Sequence, residues 1–345
     1  MKSTLSLKIE LARYLTLSEA RTTNLKTLVC DPYARITLIA AAVVCLSLGC
    51  FVGKAPSNRI KPSDESVTLG PGTHTRQLEF NGLTRTYRIH VPVSYDKTRS
   101  VPLVLAFHGR LGSGEAMAKL SNLDDVSDRK GFIVAYPDGV GRSWNAGHGT
   151  GMAERRQVDD VGFISELIDD LAHDFHIDRR QVYATGMSNG AIFVHRLGCE
   201  LSDKIAAIGP VAGTIPPQIA GDCHPARPIS VIEFHGTADS DSPWDGGRTL
   251  GGGQVESVSV TIQGWAARDH CSPTPQVTTV AKDVVCETYA PCEKGAEVRL
   301  YRIEKGGHTW PGGYQYLPRS IIGETNRALN ASEVIWDFFQ KHPLN

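Results

Sequence analysis

The sequence has almost no net charge, because 36 Lys and Arg residues stand against 37 Asp and Glu residues in a chain of 345. A surface of mixed sign lacks the basic excess typical of nucleic-acid binding, so we predict no nucleic-acid partner. The chain also lacks a C-x-x-C pair and any His/Cys cluster with zinc-ligand spacing. We therefore predict no structural metal.

Apolar residues are common enough to form a large core. They make up 41% of the chain, and 34 Gly with 19 Pro provide many turns. This composition is typical of a globular enzyme and excludes extended disorder. We expect one catalytic domain over residues 73–345, since α/β folds of this size often form a single unit.

A single long uncharged run, ITLIAAAVVCLSLGCFVG, occupies residues 36–53. Its length suits either a signal segment or a membrane anchor. Residues 1–35 form a basic leader with six Lys/Arg and three acids, which favours keeping that end inside and exporting the rest. Residues 54–72 are rich in Pro, Ser and charge and predict a flexible linker. We expect an extracytoplasmic protein that is secreted or membrane-anchored.

The end of the uncharged run leaves three fates open. Cys50 follows the small residue Gly49, as in a lipoprotein cleavage box, although Ser47 stands where such a box usually has Leu. Lipidation of Cys50, simple cleavage and retention as an anchor through residues 36–53 are the alternatives. Cys50 and Cys45 could equally be small apolar residues of a hydrophobic helix.

Five cysteines remain in the part that we expect to be exported. In an oxidising compartment we predict two disulfides, Cys199 with Cys223 and Cys271 with Cys292, and an unpaired Cys286. Each bridge would close a loop that stabilises the fold by about 3 kcal/mol.

Short apolar runs that end in Gly-rich turns alternate with amphipathic segments along the chain. The alternation predicts an α/β fold with a mostly parallel sheet and helices on both faces. Asn81-Gly82 between two alternating runs predicts an antiparallel hairpin at the start of the domain. Helices are predicted over residues 159–175 and 330–340. The strand-like runs lie at residues 75–80, 83–91, 101–109, 131–139, 181–190, 205–213, 229–236 and 298–307.

Gly186-Met187-Ser188-Asn189-Gly190 follows a predicted strand and precedes an apolar segment. A strand, a tight turn and a helix would expose the Ser188 hydroxyl at the sheet edge, and the flanking glycines would let neighbouring backbone approach. We predict Ser188 as a nucleophile.

A serine nucleophile needs a histidine base and an acid that orients the base. In the chain order typical of such folds, Asp239 follows one strand and His308 follows the last, so we predict both as triad members. Asp241 is the rival acid, but Asp239 lies closer to its strand. His108 and His235 do not fit the order, and we interpret them as structural.

Ester hydrolysis builds negative charge on the carbonyl oxygen, and backbone N–H groups must stabilise it. We predict that Asn189 supplies one donor, because it follows the nucleophile. The second donor should come from the turn after the third strand, at Arg110.

Several motifs occur together in one order: YPDG, WNAG, VDDVGFI, YATGMSNG, HGTAD, GGHTWPGG and ASEVIWDFF. With them the chain resembles the extracellular polyhydroxybutyrate depolymerase-like and feruloyl or acetylxylan esterases, which are α/β-hydrolases. The resemblance implies a serine carboxylic-ester hydrolase that needs no cofactor and acts on a small ester or oligoester of feruloyl, acetyl or hydroxyalkanoate type. It also implies that Trp310 and Trp244 line the substrate cleft, although core packing would explain either residue.

Two other functions stay open at this stage. The same triad could cleave amides, which would make the protein a peptidase. A hydrolase scaffold could also have lost turnover and act as a surface binding protein.

Overall fold

The computed structural model describes residues 69–344. The predicted leader 1–35, the uncharged run 36–53 and most of the linker 54–72 lie outside the described residues. Within them, ten strands form one sheet in the order β1-β2-β4-β3-β5-β6-β7-β12-β11-β10, and β8 pairs with β9. The strands are β1 Gly72–Phe80, β2 Leu83–Val91, β3 Val101–Phe107, β4 Ile133–Pro137, β5 Ile177–Met187, β6 Ala207–Val211, β7 Ser230–Gly236, β8 Gly247–Arg248, β9 Gln254–Val255, β10 Gln276–Ala281, β11 Val284–Tyr289 and β12 Val298–Ile303.

The first two strands form the hairpin that the sequence predicts. They pair antiparallel from Gly72 opposite Val91 to Phe80 opposite Leu83. Asn81 and Gly82 make the turn, and their φ angles of 49° and 74° are the positive values that a two-residue turn requires. Side chains of β1 alternate between exposed and half-buried, so only one face of this edge strand packs against the rest of the protein.

The middle of the sheet is parallel and buried on both sides. β3, β5, β6, β7 and β12 run in the same direction as neighbours. Leu103, Leu105 and Phe107 of β3 belong to one core, whereas Val104 and Ala106 of the same strand belong to the other. Because successive side chains of a strand point to opposite faces, the two cores lie on opposite sides of the sheet.

Helices cover both of these faces. The helices are α1 Gly114–Ser121, α2 Leu123–Lys130, α3 Met152–Arg155, α4 Asp160–Asp174, α5 Asn189–Glu200, α6 Pro217–Gly221, α7 Val258–Arg268, α8 Arg319–Ile322 and α9 Ala331–Phe339. Buried residues of α4, α5 and α7 belong to the first core, and those of α1, α2 and α9 belong to the second. Asp159 caps α4 by accepting from the Gly162 N–H, and Asn330 caps α9 in the same way.

A second antiparallel hairpin was not predicted. β10 and β11 extend the sheet beyond β12, and the chain turns at Asp283, which has a φ of 58°. Five of the six side chains of β10 are exposed. The segment therefore lacks the apolar run by which the other strands were found, although its β-branched Val and Thr residues favour a strand.

The two predicted disulfides are present, since Cys199 bonds to Cys223 and Cys271 bonds to Cys292. Cys286 is free and buried, as predicted. Across residues 69–344, no helix is both long and apolar enough to cross a membrane.

Candidate active site

The turn after β5 holds Ser188 in a strained conformation. Its φ of 57° and ψ of −123° are unusual for a residue with a side chain, and the backbone N–H donates to the Val211 carbonyl at 3.0 Å. Such strain costs on the order of 1–3 kcal/mol and persists only where surrounding contacts enforce it. A Cβ atom at Gly190 would lie 2.3 Å from the Phe107 carbonyl oxygen, so only glycine fits there. The sharp turn thus requires the glycine that the motif provides.

Asp239 and His308 meet at the carboxyl ends of two adjacent parallel strands. Asp239 follows β7 and His308 follows β12, and the His308 Nδ1 lies 2.8 Å from Asp239 Oδ2. The other oxygen, Asp239 Oδ1, accepts the backbone N–H groups of Asp241 and Ser242 at 2.8 Å each. The carboxylate is therefore fixed on both sides and holds the imidazole in one orientation.

Charge in this turn shifts the pKa of both groups. Burial alone would raise the pKa of Asp239, but the charge of His308 and the hydrogen bond to it lower that pKa below its usual value. Burial alone would lower the pKa of His308, but the carboxylates of Asp239 and Asp241 raise it to about 9. Asp239 is thus held ionised and His308 is a strong base.

Asp241 occupies the other side of the same imidazole. Its Oδ2 lies 3.6 Å from His308 Nε2, the nitrogen that faces away from Asp239. Within residues 69–344, no hydrogen bond joins Ser188 Oγ to that nitrogen. Catalytic hydrogen bonds are often long in enzymes without substrate and tighten in the complex. Ser188, Asp239 and His308 lie at one edge of the sheet, but Ser188 and His308 are not hydrogen-bonded to each other.

The predicted oxyanion donors, Asn189 and Arg110, lie in segments that adjoin Ser188. Asn189 is the first residue of α5, so its N–H has no acceptor within the helix. Arg110 follows Gly109, and a Cβ at Gly109 would lie 3.3 Å from the Ser188 Cβ. The turn that carries Arg110 therefore packs directly against Ser188.

Sequence reasoning missed how this turn is fixed. The Asn189 Oδ1 accepts the Trp144 N–H at 2.8 Å, and the Trp144 indole N–H donates to the His108 carbonyl at 3.0 Å. Trp144 is fully buried and stacks on Phe193. One buried tryptophan from the WNAG segment thus links the residue after the nucleophile to the turn after β3. The WNAG motif shows that a tryptophan is present at position 144, but it does not show which groups the backbone and indole N–H of Trp144 bond.

The two predicted cleft tryptophans differ in position. Trp310 is fully buried in the second core, and its indole N–H donates to Ser332 Oγ at 3.0 Å. Trp244 is half-buried, and its ring centroid lies 6.0 Å from that of His235 in an edge-to-face arrangement. Tyr316, which the sequence did not single out, is 37% exposed and donates its hydroxyl to the His308 carbonyl at 3.0 Å. Tyr316 thus contacts the backbone of His308, whereas Trp244 packs against the first core and Trp310 lies inside the second.

His108 makes contacts that support the loop rather than reach solvent. Its Nε2 accepts the Gly139 N–H at 3.0 Å, and burial lowers its pKa. Among the described residues, no group of three or more His, Cys, Asp or Glu side chains could hold a metal ion.

Comparison with known proteins identifies relatives of this chain. The model of the family described as Esterase PHB depolymerase matches residues 85–240. The protein named "Putative esterase NocK" of Nocardia uniformis subsp. tsuyamanensis is 30% identical over an alignment of 302 residues that covers 81% of this chain and 86% of that protein. Feruloyl esterase B of Piromyces equi is 30% identical over 233 residues, which are 64% of this chain. This chain spans only 42% of the length of the Piromyces equi protein.

Solved structures share the fold at lower identity. The acetyl xylan esterase from Aspergillus awamori matches with a TM-score of 0.51 at 18% identity, over 68% of this chain and 94% of that one. A ferulic acid esterase from Anaeromyces mucronatus, solved with ferulic acid, matches with a TM-score of 0.50 at 16% identity, over 81% of this chain and 93% of that one. These likenesses confirm the predicted α/β-hydrolase fold.

Proposed function

The chain belongs to the esterase PHB depolymerase family and is a carboxylic ester hydrolase, and from this premise we propose that it acts through an acyl-enzyme on Ser188. The single observation that carries the proposal is the 2.8 Å contact between His308 Nδ1 and Asp239 Oδ2 at the sheet edge where the strained Ser188 turn lies. A serine becomes a nucleophile only when such an oriented base removes its proton.

In the first half of the reaction, Ser188 Oγ attacks the ester carbonyl carbon while His308 Nε2 takes the hydroxyl proton. The backbone N–H groups of Asn189 and Arg110 stabilise the negative oxygen of the tetrahedral intermediate, each by about 3 kcal/mol. The C–O bond to the alcohol then breaks, and His308 returns its proton to the departing oxygen. In the second half, water attacks the acyl-enzyme in the same way, which releases the acid and restores Ser188.

The open link between Ser188 and His308 gives the substrate a part in assembling the triad. His308 Nε2 lies 3.6 Å from Asp241 Oδ2, which is too long for a hydrogen bond, so the nitrogen is free to accept the Ser188 hydroxyl once the two approach. A bound ester displaces water from the cleft, which favours the shorter contact between Ser188 and His308.

For the substrate, we propose feruloyl or acetyl esters, or small hydroxyalkanoate oligoesters. Support comes from the names of the relatives, which include feruloyl esterase B and an acetyl xylan esterase. We keep Trp244 as a substrate-contacting residue because it is half-buried in the loop that follows Asp239, and we leave Trp310 out because its ring is covered.

We also propose that the enzyme works outside the cytoplasm. Its two disulfides support this location, because disulfides persist mainly in oxidising compartments. Secretion and anchoring through residues 36–53 or Cys50 remain the alternative routes.

Labelling with a fluorophosphonate tests the nucleophile directly. We expect one adduct per chain, on the peptide that contains Ser188, because only an activated serine reacts. The matched control is Ser188→Ala, which should abolish the adduct. An adduct on another residue, or no adduct on the parent chain, would contradict the assignment, and the second result would favour a binding protein.

Side-by-side assays on methyl ferulate, acetylated xylan, hydroxybutyrate oligomers and a peptide amide then test the substrate class. We expect at least one short soluble ester to be turned over faster than the amide. Faster cleavage of the amide would favour the peptidase alternative.

A further inference from the structure

Two ionisable side chains lie inside β7, a core strand that ends at the triad acid. Glu233 and His235 are two positions apart with one residue between them, so they point to the same face of the sheet. Both side chains have no solvent exposure. Their neighbours on the strand, Ile232 and Phe234, are apolar. Burying ionisable groups costs free energy, so the pair needs a function or a compensating partner.

The contacts of His235 define where its protons lie. Its Nε2 is 2.9 Å from the Ser242 carbonyl, which can only accept, so Nε2 carries a proton. Its Nδ1 is 3.4 Å from Glu233 Oε1. Glu233 Oε2 has no hydrogen-bond partner among the described residues. Glu233 therefore contacts His235 through Oε1, whereas its Oε2, on the side away from His235, is without a hydrogen bond to the described residues.

A second histidine borders that far side. Trp265 donates its indole N–H to His195 Nδ1 at 3.0 Å, which leaves the proton of a neutral His195 on Nε2. That nitrogen donates to the Gly213 carbonyl at 3.1 Å and lies 3.6 Å from Glu233 Oε2. Burial lowers the pKa of His195 to about 3, so it stays neutral. His195 therefore brings no charge to Glu233, and within residues 69–344 the cation that faces this carboxylate is His235.

His235 also touches the triad through one turn. Ser242 accepts from His235 with its carbonyl and donates its N–H to Asp239 Oδ1. His235 Nε2 lies 3.8 Å from Asp239 Oδ2, the oxygen that His308 contacts. The His235 imidazole thus bonds to the turn that fixes Asp239 and lies beside Asp239 Oδ2, the oxygen that orients His308.

We propose that Glu233 and His235 form a second carboxylate–imidazole pair behind the triad, in which Glu233 keeps His235 as an imidazolium and His235 positions Asp239 as a carboxylate. His235 is a positioning residue, because it acts on the reaction only through Asp239. The charged groups around it are Glu233 on the same strand and Asp239 in the next turn, with His308 beyond Asp239; neutral His195 lies on the far side of Glu233.

Burial raises the pKa of the Glu233 carboxyl above its usual value, and the hydrogen bond and charge of His235 act against that rise. Burial alone would lower the pKa of His235, but the hydrogen bond to Glu233 and the charge of Asp239 raise it above its usual value. A buried cation beside Asp239 also makes a positive charge on His308 less favourable. The pair therefore moderates the basicity that Asp239 and Asp241 give to His308.

Two substitutions test the pair, His235→Gln and Glu233→Gln. Gln at position 235 can still donate to the Ser242 carbonyl but has no charge, and Gln at position 233 leaves His235 without its counter-ion. In both variants His308 loses a neighbouring cation, so the acid limb of kcat/KM should move to higher pH. We expect kcat per labelled Ser188 to fall about tenfold and KM to stay within twofold of the parent value. A tenfold loss is the lower end of the effect seen when a hydrogen-bond partner of a metal ligand is removed.

The matched control is His195→Gln, which changes a histidine that is equally buried in the same network but does not contact Asp239. It should lower the thermal midpoint and leave the acid limb and kcat per labelled site within twofold of the parent. A purely structural role for His235 would give the same pattern in all three variants. Parent-like kcat per site and an unmoved limb in His235→Gln and Glu233→Gln would overturn the proposal.

A measurement on the unsubstituted full chain covers the case in which the variants do not fold. In a ¹⁵N-histidine spectrum at pH 7, with His235 assigned through its backbone, both ring nitrogens should be protonated. One unprotonated ring nitrogen would overturn the proposal. The proposal rests on the ester hydrolysis proposed above, but a parent chain that turns over no ester would contradict that function alone, and the spectrum would still locate the proton.

Discussion

The two sides of the His308 imidazole differ in almost every respect. On the buried side, Asp239 is fixed by two N–H groups and lies 2.8 Å from Nδ1. On the solvent side, the Asp241 carboxylate is 35% exposed and lies 3.6 Å from Nε2. The two acids are two residues apart in one turn. Position relative to the core, rather than residue type, therefore decides which acid orients the base and which only adds charge.

Removing the charge of Asp239, on the buried side of the His308 imidazole, should have the largest effect on kcat. We expect Asp239→Asn to lower kcat about 10⁴-fold, as loss of the triad carboxylate does in serine proteases, because His308 then takes the wrong tautomer. Asn keeps an oxygen for the N–H groups of Asp241 and Ser242, so the thermal midpoint should change little. A loss of less than tenfold, measured per folded chain, would show that the buried side does not control the base.

Removing the charge on the solvent side should shift the pH profile instead. Protonated His308 cannot accept the Ser188 proton, so activity is lost as pH falls through its pKa of about 9. Asp241→Asn removes a negative charge that raises this pKa, and the acid limb of kcat/KM should move to lower pH. A shift of one unit would raise kcat/KM about tenfold at pH 7.

The control for that shift is Asp245→Asn, which removes an exposed carboxylate from the same loop. It should leave the limb in place. If Asp241→Asn also leaves the limb unmoved, or moves it to higher pH, the solvent-side carboxylate does not act on His308 and the contrast between the two acids is wrong.

The smallest effect concerns Trp310, which the sequence placed in the cleft and the structure places in the core. Trp310→Phe removes the hydrogen bond to Ser332, and we expect a loss of about 1 kcal/mol in the free energy of unfolding with KM within twofold. Trp336→Phe, in the same core, serves as the control. A severalfold rise in KM without loss of stability would mean that Trp310 reaches the substrate.

The central fold was predictable because its signals are local. Gly186 and Gly190 around Ser188 indicate a tight turn, and apolar runs ending in Gly mark the parallel strands. The hairpin of β10 and β11 was missed because β10 is almost wholly exposed, so no burial pattern appears in its sequence.

The site was predictable only to the level of which strand each residue follows. Asp239 and His308 could be assigned to one sheet edge because parallel strands end together. The approach of Asp241 to Nε2 depends on the path of the loop after it, and the direction of Trp310 depends on how the chain turns after His308. Glu233 could have been noticed earlier, because an acid in the middle of the core strand SVIEFHG is unusual.

The contact between Arg110 and Gly251 has a mechanical consequence. The guanidinium packs so closely on Gly251 that an added Cβ there would lie 3.0 Å from its Nη2. The neighbouring Leu250 N–H donates to the Asp241 carbonyl at 2.9 Å. The turn that carries Arg110 and the loop that carries Asp241 are thus in contact through Gly251 and Leu250. A substitution that displaces one of them is therefore expected to displace the other.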